Sequence, residues 1–256
     1  MNSQSAIDRC LSFINCQLQQ KGNGRGRGVP GVQRRAVTIS RQAGTGAHAI
    51  AENLAAYLQS ARPGESAPWK VFDRDLVEQV LLDHNLPERL AQFMPEDHIS
   101  EFADVIDQLC GLHPPSWTLV RKTVETILHL AELGNVILIG RGATVITSRM
   151  DHVFHVRLIG SLERRLSRAQ GAHQFTRKEA SAYIRREDFG RRRYVKKYFN
   201  QDIADPLLYH LVINTDLVPP EKAAEIIGDV VLRCGQATTS APKAPAAKAD
   251  SHAIAA

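Results

Sequence analysis

The stretch AVTISRQAGTGAHAIAENLAAYL, residues 36–58, changes character twice along its length. It opens on the β-branched run AVTI, residues 36–39, and passes through a turn holding Gly44 and Gly46. It closes on AIAENLAAYL, whose apolar positions repeat at helical spacing. A strand that runs through a glycine loop into a helix N-terminus makes an anion site. Glycine lets backbone N–H groups approach a ligand, and the helix end adds unpaired donors and a favourable dipole. The same arrangement also serves as a bare strand-to-helix turn, in which glycine supplies geometry alone. The standard phosphate-loop string is G-x-x-x-x-G-K-[ST]. Aligned on Gly46, this chain has Arg41 for the first glycine, Ala47 for the lysine and His48 for the hydroxyl residue.

Four further short runs read as strands: WKVF (69–72), NVILI (135–139), VFHVRLI (153–159) and HLVIN (210–214). Near-continuous apolar runs of this length suit strands covered on both faces of a parallel sheet. Helical patterns lie between them at 47–60, in several pieces within 74–133, at 142–149, 161–169, 176–199 in two pieces, and 220–233. This alternation predicts an α/β protein with a doubly wound, five-stranded parallel sheet. The folded part is expected at 36–234. Ahead of it, residues 1–20 carry Ile7, Leu11, Ile14 and Leu18 at helical spacing, and residues 21–35 form a basic Gly/Arg linker. After it, the Ala/Pro/Ser/Lys-rich residues 235–256 predict a disordered tail.

Composition narrows the classes. With 43% hydrophobic and 23% charged residues in 256, the chain is neither wholly disordered nor fibrous. No stretch approaches ~18 uninterrupted apolar residues, and the N-terminus lacks a signal-peptide core, so a cytoplasmic protein without a membrane partner is expected. Cys10, Cys16, Cys110 and Cys234 form no C-x-x-C pair, the histidines show no ligand spacing, and no metal site of protein ligands is predicted. The net charge of +5 is unevenly spread. Residues 157–197 hold thirteen Lys/Arg against Glu163, Glu179, Glu187 and Asp188, which suggests an anionic ligand.

Ligands of open α/β sheets sit at the carboxyl ends of the strands. After the second strand comes Asp73, suited to hold a ribose hydroxyl, an amine or a metal-bound water, and equally suited to cap the next helix. After the third, Arg141 stands between Gly140 and Gly142, where a guanidinium fork can clamp a phosphate or carboxylate. Further on, YIRREDFGRRRYVKKYF (183–199) places Arg185, Asp188, Arg191 and Arg192 at three- and four-residue steps. Gly190 is expected to hinge two basic helices there.

Taken in order, VTISRQAGTGAHAIAENLA, WKVFDRDLVEQVL, NVILIGRGA, FHVRLIGSLERRL, RREDFGRRRYVKKYF and DPLLYHLVINTD resemble the cytidylate kinase-like family, within the P-loop nucleoside monophosphate kinases. The resemblance spans about residues 36–233, and the family's S-R-x-x-G-x-G-G loop is similar to residues 40–47. It implies ATP as donor with Mg²⁺, and a small phosphorylated acceptor. By resemblance, Ser40, Arg41, Gly44, Thr45, Gly46, Ala47 and His48 wrap the donor phosphates. Residues 73–133 are the helical acceptor-binding insertion, and Asp73 and Arg141 face the acceptor. Residues 170–200 are a lid carrying Arg185, Asp188 and Arg191. Arg41, Arg141 and Arg191 are the implied catalytic cations, with Arg41 or a lid arginine replacing the missing lysine. The chain departs from the pattern at Ala47 and His48, at Gly142 where cytidylate kinases have a cytosine-reading Asp, and at Ile184 where their lid has an Arg. Two other functions fit the same residues: a non-catalytic nucleotide-binding module, and nucleic-acid binding through the lid and the 21–35 arm.

Overall fold

The computed structural model describes residues 35–61, 68–73 and 118–237. The expected helix at 1–20, nearly all of the 21–35 linker, most of the 73–133 insertion and the tail beyond 237 lie outside these residues.

The five runs form the strands β1 (Ala36–Arg41), β2 (Lys70–Phe72), β3 (Val136–Ile139), β4 (Val153–Ile159) and β5 (Leu211–Asn214). They make one sheet in the order β2-β3-β1-β4-β5, with every pairing parallel. β1 therefore lies at the centre, and the chain crosses over to reach β2 before β3 fills the gap. Alternate residues of β3 face opposite ways, as the pleat requires. Val136 and Leu138 pack with Ile127, Leu130 and Ile146, whereas Ile137 and Ile139 pack with Leu54, Leu58 and Ile227. The first layer is built by α2 (Thr118–Leu133) and the short α3 (Ala143–Ile146). The second is built by α1 (Ala47–Ala61) and α6 (Pro220–Ala237). Burial on both faces explains why these strands read as unbroken apolar runs. β5 is the exception: it is an edge strand, with Val212 and Asn214 exposed.

Beyond β4, α4 (Leu162–His173) and α5 (Arg177–Phe199) complete the described helices, and a 3₁₀ turn (Pro206–Leu208) precedes β5. Here the structure corrects the sequence. Residues 177–199 are a single 23-residue helix that runs through Gly190 without a hinge. An interior glycine costs a helix about 1 kcal/mol relative to alanine. The neighbours offset this: Thr176 and Glu179 form a reciprocal capping box, and Ala180, Ile184, Val195 and Phe199 are buried along one side. The helix expected at 142–149 shrinks to α3, α4 extends past 169, and α6 reaches 237. No described helix is long and apolar enough to cross a membrane.

Candidate functional site

The β1–α1 loop is fixed from several sides. Gln42 N–H donates to Leu158 O (3.0 Å), its side-chain Oε1 accepts from Gly160 N–H (3.0 Å), and Thr45 Oγ1 donates back to Gln42 O (2.9 Å). Gly44 and Gly46 have φ of 78° and 77°, a region L side chains rarely adopt. At Gly44 a Cβ would also sit 2.5 Å from the backbone oxygen of Arg165, so α4 presses directly on the loop. The amides of Gly44, Thr45, Gly46 and Ala47 have no acceptor among the described residues. That is the donor set an anion needs. His48 is exposed on α1 and 3.8 Å from Glu52. Ser40 is buried behind the loop, where its hydroxyl accepts from Arg157 Nη1 (2.7 Å) and Tyr209 Oη (3.1 Å).

At the end of β3, Gly140, Arg141 and Gly142 follow one another at φ of 85°, 54° and 72°. A non-glycine residue held there stores about 1–3 kcal/mol of backbone strain, a feature that clusters at functional sites. Both glycines stand at a left-handed φ, and their surroundings are close. A Cβ at 140 would fall on Arg41 Nη1, and one at 142 would collide with the Phe199 ring. A side chain at 142 would be strained by its φ and would force the Phe199 ring to shift.

Between the end of β1, the β3 turn and α5 lies a cavity of about 320 Å³, lined by Arg41, Arg141, Glu187, Arg191, Tyr194 and Tyr209 among others, with residues 42–47 of the first loop outside its wall. It brings together Arg41, Arg141 and Arg191, which come from β1, from the β3 turn and from α5. Burial, followed by the neighbouring Arg191, lowers Arg41 to about 10, with Asp73 and Glu187 partly opposing the shift. Arg41 is still a cation at neutral pH. Arg141 lies over the Tyr194 ring at 5.9 Å. Arg191 pairs with Glu187 (3.3 Å) and Asp188 (3.1 Å), and its buried Nε has no partner among the described residues.

The remaining expected residues are placed differently. Asp188 bridges α5 to the loop, accepting from Ala43 N–H (2.7 Å) and Arg165 Nη1 (2.6 Å) as well as Arg191. Asp73 is half-buried at the end of β2, outside the cavity wall. Arg185 is exposed on α5 and lines a separate open cleft with Arg177 and Lys178.

Sequence reasoning missed two buried arginines. Arg165 is 8% exposed, and its Nη1 donates to Ala43 O (3.2 Å) as well as to Asp188. Arg157, 7% exposed, stacks on Tyr209 at 5.6 Å. Each left a trace. Arg157 interrupts the apolar run VFHVRLI, and Arg165 shares the α4 face of Leu166 and Ala169.

A parallel sheet with a glycine loop between its central strand and the first helix, beside an arginine-lined cavity, defines a protein of the P-loop kinase type. The chain belongs to the cytidylate kinase-like family, whose model matches residues 36–217. No curated protein sequence matches it. Among solved structures, an uncharacterized protein from Eubacterium ventriosum is 17% identical, with a TM-score of 0.50, covering 78% of this chain and 99% of its own. That likeness concerns the fold. A shikimate kinase from Bacteroides thetaiotaomicron (12% identical, TM-score 0.40) covers 80% of this chain and 99% of its own. A gluconokinase from Sinorhizobium meliloti (10%, 0.38) covers 81% and 97%.

Proposed function

We propose that this protein transfers a phosphoryl group from ATP to a nucleoside monophosphate or a similar small phosphorylated acceptor. One observation carries the reading: three guanidinium groups from separate elements meet at a cavity whose wall includes Ser40 and Arg41, the strand end that leads directly into a glycine loop with four amides unpartnered among the described residues. Phosphoryl transfer asks a protein chiefly to position two phosphates and neutralise the charge between them. The loop amides hold the donor phosphates, and Arg141 grips the acceptor phosphate. Arg41 and Arg191, adjacent to both, offset the charge that develops as an acceptor oxygen bonds to the γ-phosphorus and the bridging oxygen leaves with ADP. Arg165 braces the loop from below, in part replacing the cation that Ala47 lacks.

The described residues suit a triphosphate better than a Mg²⁺ ion. No hydroxyl stands at position 48, and no group of three His, Cys, Asp or Glu among the described residues could hold a metal.

A second reading, a non-catalytic nucleotide-binding module, is favoured by Ala47 and by Asp188, which already occupies the Ala43 amide. A coupled assay with ATP, Mg²⁺ and a panel of nucleoside monophosphates and their deoxy forms separates the two. Turnover that collapses in Arg141→Gln is expected. Folded protein that gains melting temperature with nucleotides but forms no product would overturn catalysis in favour of binding.

A further inference from the structure

The basic run reads differently once α5 is a single rigid helix. At 3.6 residues per turn, Lys178, Arg185, Arg192, Arg193, Lys196 and Lys197 fall within one arc of about 140°, over about 28 Å of helix. All six are exposed, and none lines the cavity. From Arg185 onward no acid shares the arc. Glu187 and Asp188 turn inward to Arg191 and the loop, and Glu179 is committed to the capping box in the first turn. Surface helices ordinarily set acids opposite bases three or four residues apart. Like charges at those spacings, such as Arg192 with Lys196 and Arg193 with Lys197, cost a helix about 0.2–0.5 kcal/mol per pair. The stripe thus lowers the stability of α5 and does nothing for the cavity, a conflict that an extended polyanion relieves.

We propose that the outer face of α5 binds duplex nucleic acid through its phosphates, without reading sequence. A straight, densely cationic helix follows a phosphate backbone or enters a major groove. Anionic membrane fits less well, because insertion needs an apolar sector and the stripe offers only Phe189, 63% exposed. Single strands fit less well too, since they bind on successive aromatic platforms.

The test is fluorescence anisotropy of the full chain with a labelled DNA duplex of about 20 base pairs, between 50 and 200 mM salt. Six phosphate contacts predict a slope of log affinity on log salt near −5, or about a thousandfold loss across that range. Unrelated duplex sequences should bind alike and the single strand more weakly. In the quadruple variant Lys178→Gln, Arg192→Gln, Arg193→Gln, Lys196→Gln, folding is checked by circular dichroism, the slope should drop by about 3.6, and affinity at low salt by at least about tenfold. Three results would overturn the proposal: no duplex binding at the lowest salt, an unchanged slope in the folded variant (which would assign binding to the 21–35 arm), or tighter binding to phosphatidylglycerol-containing vesicles than to duplex. The kinase assay is independent of all three.

Discussion

Two glycine turns sit side by side at the carboxyl edge of the sheet, and under the proposed reaction they hold phosphate in opposite ways. The β1–α1 turn bears no charged side chain between Gln42 and Ala47. It offers amides, and its nearest cation, Arg165, reaches it from α4. The β3 turn carries its own cation, Arg141, at a left-handed φ between two glycines. Its glycines give up space to Arg41 on one side and Phe199 on the other. The first turn is an electrostatic cradle whose charge is delivered by other elements; the second is a clamp with its charge built in. Under the proposed reaction, Arg41 at the end of β1, Arg165 from α4 and Arg191 from α5 take the place of a loop lysine.

The sharpest way to break this contrast is to remove the built-in charge. Arg141→Gln should lower turnover about 10²- to 10³-fold, the usual effect of losing one stabilising group. The melting temperature should hardly move, because the turn's geometry rests on its glycines. Steady-state kinetics beside a thermal scan checks both. Removing the delivered charge should act the other way round. Arg165→Met leaves Asp188 partly buried with one fewer cation, and stability should fall by about 3 kcal/mol in urea titration, even before nucleotide is added.

The two loop glycines sharpen the picture further. Gly44→Ala meets both an unfavourable φ and the immovable Arg165 carbonyl, so a loss of about 3 kcal/mol is expected. At Gly46, where a Cβ meets nothing, Gly46→Ala should cost only about 1 kcal/mol. Equal losses at both positions would mean that α4 does not press on the loop.

A pH effect of similar size is expected in the middle of the sheet, where Thr38 links β4 to Thr144 just beyond the β3 turn. His155 on β4 is buried between Thr38, which is 2.8 Å from its Nδ1, and the stacked ring of His210. Burial, then the neighbouring His210, lowers it from 6.5 to about 4. The folded state therefore takes up this proton less readily than the unfolded chain does. Stability from this site is complete above pH 6.5, falls as the pH drops from there toward 4, and is then flat. His129, lowered to about 4 by burial, acts in the same direction. Between pH 7 and 5.5 the His155 share is about 1 kcal/mol. In His155→Gln, the pH dependence of urea unfolding should shrink by about that amount.

Much of the fold could be read from the chain because the governing patterns are local. β-branched runs bounded by turns marked all five strands, and glycines at 44, 46, 140 and 142 marked the turns that need a left-handed backbone. Gly190 misled because the same residue that permits a hinge is also tolerated inside a helix. Whether it bends depends on what buries Ile184 and Val195 on either side. Asp188 and Arg191 were legible as a pair at helical spacing, but Asp188 was not legible as a partner of the loop, since Ala43 and Arg165 lie far away in sequence.

The sequence by itself determined the order of strands and helices, the two glycine turns and the concentration of positive charge between 157 and 197, all properties of neighbouring residues. Only the tertiary structure decided which arginines meet at the cavity, which brace the loop and which face solvent. That choice depends on how β1, β4, α4 and α5 converge. The free energy of a guanidinium is set by burial and by the groups around it, and these are assembled by packing across the sheet.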